Sequence, residues 1–352
     1  MNKRNYFDLN DAGKGSALFI ILQNLFILVL TGAIYAGFYY GQIGGLLITA
    51  LLESMFVLTV FVIASTSGVH FARATLLNKK PNVKQVVLAI ILAFVCLYGF
   101  SGVTNVFYYF LRTLGYEGTN ADLAVTTAGG LIIEIICVCI VPAFCEEMLF
   151  RGLILNGLRK LGKWPAILLS AGLFMLMHGN PDQTIFQFVL GIVLGLAFYN
   201  TGSIWVPMII HFTNNFYVTV ISFITNTMDT SGAESSEITS SDLVPILLSA
   251  VAIAVVAAFL IYIICHFMKK KADAKPPVEN ANVNTEATKV VPEETAVESP
   301  APVGDVATIP LSQPIIEVRP KKSYGFAIAC LVVSGIWLIV DWVLAFIKGI
   351  GA

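Results

Sequence analysis

Nine long apolar runs dominate this chain, at about Ser16–Tyr40, Ile43–Ser67, Val86–Phe110, Ala128–Cys145, Trp164–His178, Thr184–Tyr199, Ile204–Ile224, Leu243–Phe267 and Tyr324–Ile347. A membrane-crossing helix needs ~20 apolar residues, so the runs predict an all-α, polytopic helical membrane bundle. The fifth and sixth are short, and the reading is about eight core spans plus one C-terminal span. Composition agrees: 57% of residues are hydrophobic and only 12% charged, against about 45–50% and about 25% in soluble domains. The first run is too long for the core of a cleaved leader and no small-residue cleavage site follows it, so it is expected to remain as a span.

Lysine and arginine favour short cytoplasmic loops. Lys3, Arg4 and Lys14 precede the first run, and Arg73, Lys79, Lys80 and Lys84 follow the second. Arg159, Lys160 and Lys163 follow the fourth, and Lys269, Lys270 and Lys271 follow the eighth. Single crossings place all four clusters on one side, which predicts a cytoplasmic N-terminus. The loop Met228–Asp242, with Asp229, Glu234, Glu237 and Asp242, falls on the other side. A formal net charge of −1 leaves no sizeable basic face for nucleic acid. All six cysteines lie in apolar runs without a CxxC pair, and read as small buried hydrophobes, not a disulfide or zinc framework.

Residues 269–322 change abruptly to Pro, Glu, Ala, Val, Thr and Asn, with prolines at 276, 277, 292, 300, 302, 310, 314 and 320. Such a stretch cannot bury enough apolar surface to offset its ordering entropy. It reads as a disordered cytoplasmic linker that tethers the ninth run, which looks like an appended anchor outside the chemistry. No internal repeat is evident, so the inverted-repeat plan of many transporters is unsupported.

Directly after the fourth apolar run stand Glu146-Glu147-Met148-Leu149-Phe150-Arg151-Gly152. Ionisable groups at membrane depth cost ~2.5–3.5 kcal/mol each on insertion scales, which makes each one a functional candidate. Glu147 and Arg151 are four apart and share a helix face, so they can pair. Glu146 is rotated by about 100° from that pair. It is the carboxylate left to take a proton from water. A snorkelling cluster at a helix end is the plainer alternative, because Arg151 lies near the basic loop.

Of the four histidines, His70 and His266 sit at span ends. His178 follows Phe174 by one turn, and His211 precedes Asn215 by one turn on the same face. Either histidine alone fits a hydrogen-bonded core residue. Two histidines, an asparagine and a carboxylate doublet on three spans make the parts list of a hydrolase: a base, a water-orienting histidine and donors for an oxyanion. Glu53, Glu134 and Asp341 are further polar residues within apolar runs, without an evident partner. Gly191 and Gly195 are four apart, which suits close helix packing.

The ordered set Glu146-Glu147-x-x-x-Arg151, Phe174-x-x-x-His178 and His211-x-x-x-Asn215 resembles the three motifs of the CAAX prenyl protease 2 family of intramembrane endopeptidases. That family, also called CPBP, includes bacteriocin-processing and self-immunity members. The resemblance covers about Ala128–Ile224. It implies a helical bundle around a polar cavity, and peptide-bond hydrolysis without a covalent enzyme intermediate. Glu146 with His178 would then activate water, Glu147 and Arg151 would hold the site together, and His211 with Asn215 would stabilise the oxyanion. The implied partner is a peptide or protein substrate, possibly lipidated, met among membrane lipids. The resemblance favours a glutamate-type, cofactor-free enzyme. Zinc held by Glu146, His178 and His211 is the chemical alternative, although HExxH is absent.

The expected organisation is N-terminal membrane helices over 1–127, a catalytic core over 128–227, an eighth span over 228–268, the linker over 269–322 and a C-terminal span over 323–352. The expected location is the plasma membrane of a bacterium. A catalytically silent scaffold or immunity protein, binding a peptide in the same pocket, is the rival from another class.

Overall fold

A computed structural model describes residues 3–38, 40–118, 125–228, 243–269 and 324–350. The linker 269–322, apart from Lys269, and the acidic loop after Met228 lie outside the described residues. Residues Met1–Lys270 and Tyr324–Ala352 form one compact unit. Its described residues are helical apart from short turns and two isolated backbone bridges. Hydrocarbon offers no partner to an open backbone N–H or C=O, so a spanning segment closes its hydrogen bonds within itself as a helix.

Among the described residues, eight helices are long and apolar enough to cross a membrane: α1 (Leu9–Tyr35), α2 (Gly41–Thr66), α3 (Val83–Thr113), α4 (Ala128–Leu161), α6 (Pro181–Thr201), α7 (Trp205–Thr227), α8 (Leu243–Phe267) and α9 (Gly325–Gly349). The fifth apolar run forms the shorter α5 (Lys163–Met177). The sixth run reaches full length because a 3₁₀ turn over Pro181–Gln183 leads into it. The chain is therefore an integral, multi-pass membrane protein.

Helix starts follow local chemistry. Asp8 caps α1 in a reciprocal box with Asp11, and Arg4 pairs with both, at 2.8 and 3.1 Å. Asn82 and Gln85 form the same box at α3. Gln85 also donates to Met268 O at 3.1 Å, which ties the start of α3 to the end of α8. Gly202 ends α6 in the left-handed conformation, φ 63°, where glycine carries no side-chain penalty.

Helix α4 departs from ideal geometry where the chemistry lies. It is π-helical over Ile135–Ile140 and Met148–Leu155, with an α-helical segment Val141–Glu147 between. Pro142 cannot donate a backbone hydrogen bond, and the Val138 carbonyl four residues before it accepts from Asn215 Nδ2 instead, at 3.0 Å. π turns shift the direction of every later side chain and concentrate at functional sites. They also break the 3.6-residue phase between Glu134 and Glu146, and Glu134 does not line the cavity described below.

The core gathers on α4, whose residues Met148 to Leu155 are all buried. Helix α3 packs along α8, α5 along α6, and α1 along α9. The α5–α6 contact is close because of glycine: a Cβ on Gly191 would lie 2.9 Å from Ala171 Cβ, and one on Gly195 would lie 3.1 Å from Ile167 Cγ2. Packing is thus a role these two glycines hold.

Helix α9 is built into the bundle, not appended as the linker had suggested. The Ser334 hydroxyl donates to that of Ser16 at 3.2 Å, and Trp342 Nε1 donates to Thr184 Oγ1 at 2.8 Å. Glu117 N donates to Gly349 O at 2.8 Å. Asp341 finds its partner one turn back, in Trp337. The six cysteines are free thiols, and all but Cys330 are buried.

Candidate active site

The motif residues fall into two layers. Behind the site, Arg151 and Glu147 are both fully buried. Arg151 Nη1 donates to Glu147 Oε1 at 2.7 Å, and Nη2 donates to the Gly191 carbonyl at 3.0 Å. The guanidinium carbon stands 4.4 Å from the centre of the Phe174 ring, a cation–π contact stripped of water. The close approach allowed by Gly191 brings its carbonyl to the arginine.

His211 belongs to this rear layer. Its Nδ1 donates to Glu147 Oε1 at 3.0 Å, and its Nε2 lies 3.9 Å from Glu146 Oε2. The ring thereby holds Glu147 and approaches Glu146 without a hydrogen bond to it. Phe174 packs edge-on against both histidines, with ring centres 4.8 Å from His178 and 5.8 Å from His211.

In front lies a cavity of about 690 Å³. Glu146, His178 and Asn215 line it, and Glu147, Arg151 and His211 do not. The doublet is thus split as its 100° offset predicts, one carboxylate facing the cavity and one facing the arginine. Glu146 is nonetheless only 4% exposed. His178 Nδ1 donates to the Phe174 carbonyl at 2.8 Å. A carbonyl can only accept, so the proton sits on Nδ1 and Nε2 keeps a free lone pair. Asn215 Nδ2 donates to Val138 O at 3.0 Å, and its Oδ1 accepts from Asn214 at 3.1 Å.

Five cavity residues were not assigned to the site from the sequence. Glu53 of α2 lines the cavity and hydrogen-bonds Glu146. Two carboxyl groups can do this only with a proton between them. Its position inside an apolar run marked it as a candidate, but nothing in one sequence tells which helix α2 faces. Asn214, 5% exposed, lines the cavity beside the expected Asn215. Asp182, Gln183 and Gln187 enter from the turn before α6 and its first residues.

Among the described residues, no three His, Cys, Asp or Glu side chains are grouped to hold a metal ion, the set Glu146, His178 and His211 included. What the arrangement offers is a buried carboxyl group and an imidazole lone pair lining one cavity, with a buried ion pair behind them.

Residues 128–217, from the start of α4 to past Asn215 of α7, match the family model described as Type II CAAX prenyl endopeptidase, Rce1-like. The segment is similar to that family. The match contains all three motifs and both layers of the site. A curated relative, "Putative membrane peptidase YdiL" of Bacillus subtilis, is 25% identical over 121 residues, 34% of this chain and 50% of that protein. The chain therefore spans about half the length of the curated relative it matches. No solved structure matches the chain.

Proposed function

We propose that the protein is an intramembrane endopeptidase of the glutamate type, hydrolysing a peptide bond of a membrane-associated or lipidated peptide. The observation that carries the reading is the split doublet: Glu146 reaches the cavity while Glu147 is held by Arg151 and His211. Glu146 with His178 Nε2 takes a proton from water as the water oxygen attacks the scissile carbonyl carbon. The same proton then passes to the departing amine nitrogen, so the carbon–nitrogen bond breaks and the carboxylate is restored. The amide of Asn215 is the donor best placed for the oxyanion, because it lines the cavity. His211, which the family resemblance pairs with Asn215 in that role, fits better as the ring that holds Glu147 and stands beside Glu146. Glu147 and Arg151 hold that ring in place.

The lining supports a side of entry. Thr49 lies near the start of α2, Tyr108 near the end of α3, and Asp182 in the turn between α5 and α6. All three stand at the end of their helices away from Arg73, Lys79 and Lys160. With those basic loops and the N-terminus in the cytoplasm of a bacterium, substrate enters from outside the plasma membrane. In intact cells, Asp182→Cys is expected to react with a membrane-impermeant maleimide and Lys160→Cys to react only after lysis. The opposite pattern would invert this topology.

The activity itself is tested with the full-length chain in lipid vesicles, given prenylated and unprenylated peptides. Cleavage that disappears in Glu146→Ala and His178→Ala and survives a chelator supports the reading. Cleavage by Glu146→Ala would overturn it, and chelator-sensitive cleavage restored by zinc would move the mechanism to a metal. A silent scaffold would bind such peptides and cut none.

A further inference from the structure

The cavity is one-sided in its hydrogen bonding. Five buried oxygens that face it meet no donor among the described residues: Glu53 Oε2, Glu146 Oε2, Asp182 Oδ1, Gln187 Oε1 and Asn214 Oδ1. Glu146 and Asn214 are themselves at least 95% buried. His178 Nε2 adds a sixth acceptor.

Several donors nearby are already engaged, and the free ones, such as the Asn105 and Gln183 amides, are neutral. The hydroxyls of Thr49, Ser101 and Thr104 donate to carbonyls of their own helices, at 3.1, 3.1 and 3.0 Å. One amide N–H each of Asn214, Asn215 and Gln187 is given to a neighbouring oxygen. The second amide hydrogens and the Tyr108 hydroxyl are neutral. Among the described residues no lysine or arginine lines the cavity, and Arg151 behind it is occupied by Glu147 and Gly191.

Three carboxyl groups and a surplus of buried acceptors are costly unless a donor meets them. The shared proton between Glu53 and Glu146 meets part of that demand. It leaves Asp182 Oδ1, Gln187 Oε1 and Asn214 Oδ1 without a donor among the described residues.

On the reading that this cavity receives a peptide, we propose that it selects a cationic N–H group of that peptide, seated among Glu53, Asp182 and Asn214. Such a group is the ammonium of a lysine or free α-amine, or an arginine guanidinium. It brings three to five donors and the positive charge that the lining lacks. A carboxylate in the same place would face three carboxyls with no cation to offset them. Glu53 and Asp182 are then specificity-determining residues.

The test reads binding, not turnover. Full-length protein in phosphatidylcholine nanodiscs is incubated with a library of 12-residue peptides randomised at six central positions. Captured peptides, intact and cleaved, are sequenced by mass spectrometry against empty nanodiscs. The expected result is enrichment of arginine and lysine by at least about threefold at one or two positions, and depletion of aspartate and glutamate. A Glu53→Gln/Asp182→Asn double variant with the wild-type melting temperature should lose that enrichment, and Asp182→Asn alone should reduce it if the double variant does not fold. An acetylated copy of the library separates the sources: a preference carried by the α-amine vanishes on acetylation, and one carried by side chains persists. Capture without charge preference, no capture at all, or a preference unchanged in the variants would overturn the proposal. Charge-selective capture without cleavage would leave it standing and sink the peptidase reading. Cleavage without charge selection would do the reverse.

Discussion

Arg151→Met is expected to cost about 3–5 kcal/mol of stability, the usual consequence of leaving a buried charge without its partner. Methionine fills similar space, but Glu147 keeps its charge in a site with no exposure and loses the donor at 2.7 Å. Gly191 loses its donor too, and Phe174 loses the cation over its ring. Replacing both partners, as Glu147→Leu/Arg151→Met, removes the orphaned charge and should recover much of the loss. Thermal melting of the three chains in zwitterionic detergent checks this. If the single and double variants melt alike, the pair is not the brace described above.

Glu146→Gln should behave in the opposite way. The amide has the shape of the carboxyl and can donate to Glu53, so the melting temperature should stay within a few degrees of wild type. It cannot take a proton from water, and peptide hydrolysis should fall by roughly 10²–10⁴-fold, the usual contribution of a general base. Glu147→Gln should lose stability as well as turnover, because its partner is the buried arginine. Hydrolysis by Glu146→Gln within about threefold of wild type would remove Glu146 from the chemistry. The contrast between neighbours separates a reacting carboxylate from a structural one.

Much of the bundle is legible in hydrophobicity alone, since a membrane imposes a length and a polarity on each helix. The boundaries that apolar runs misplace are set by polar chemistry. Helix α1 begins at Leu9, seven residues before its apolar run, because Asp8 and Asp11 cap it. Helix α4 continues to Leu161, well past Cys145 where apolarity ends, because Glu147 and Arg151 neutralise each other inside the bundle. In the site, the i to i+4 spacing of Glu147 and Arg151 was readable because both ends lie on one helix. The contact of Glu53 with Glu146, the seat of Phe174 beneath Arg151 and the arrival of Asp182 were not. Each depends on which helices are neighbours, and helix order along the chain does not encode that. The π turns of α4 add a shift of face that ideal-helix geometry cannot anticipate.

Helix α9 has a bearing on biosynthesis. Its Trp342 holds Thr184, two residues beyond Asp182 at the cavity, and its Ser334 holds Ser16 of α1. Two helices separated by the synthesis of residues 36–324 are therefore packed together in the finished bundle. Until residues 324–350 have been synthesised, the surface of α1 that receives them is uncovered and Thr184 lacks its indole donor. A chain stopped short of residue 324 would leave that face of α1 uncovered and Thr184 without the Trp342 indole.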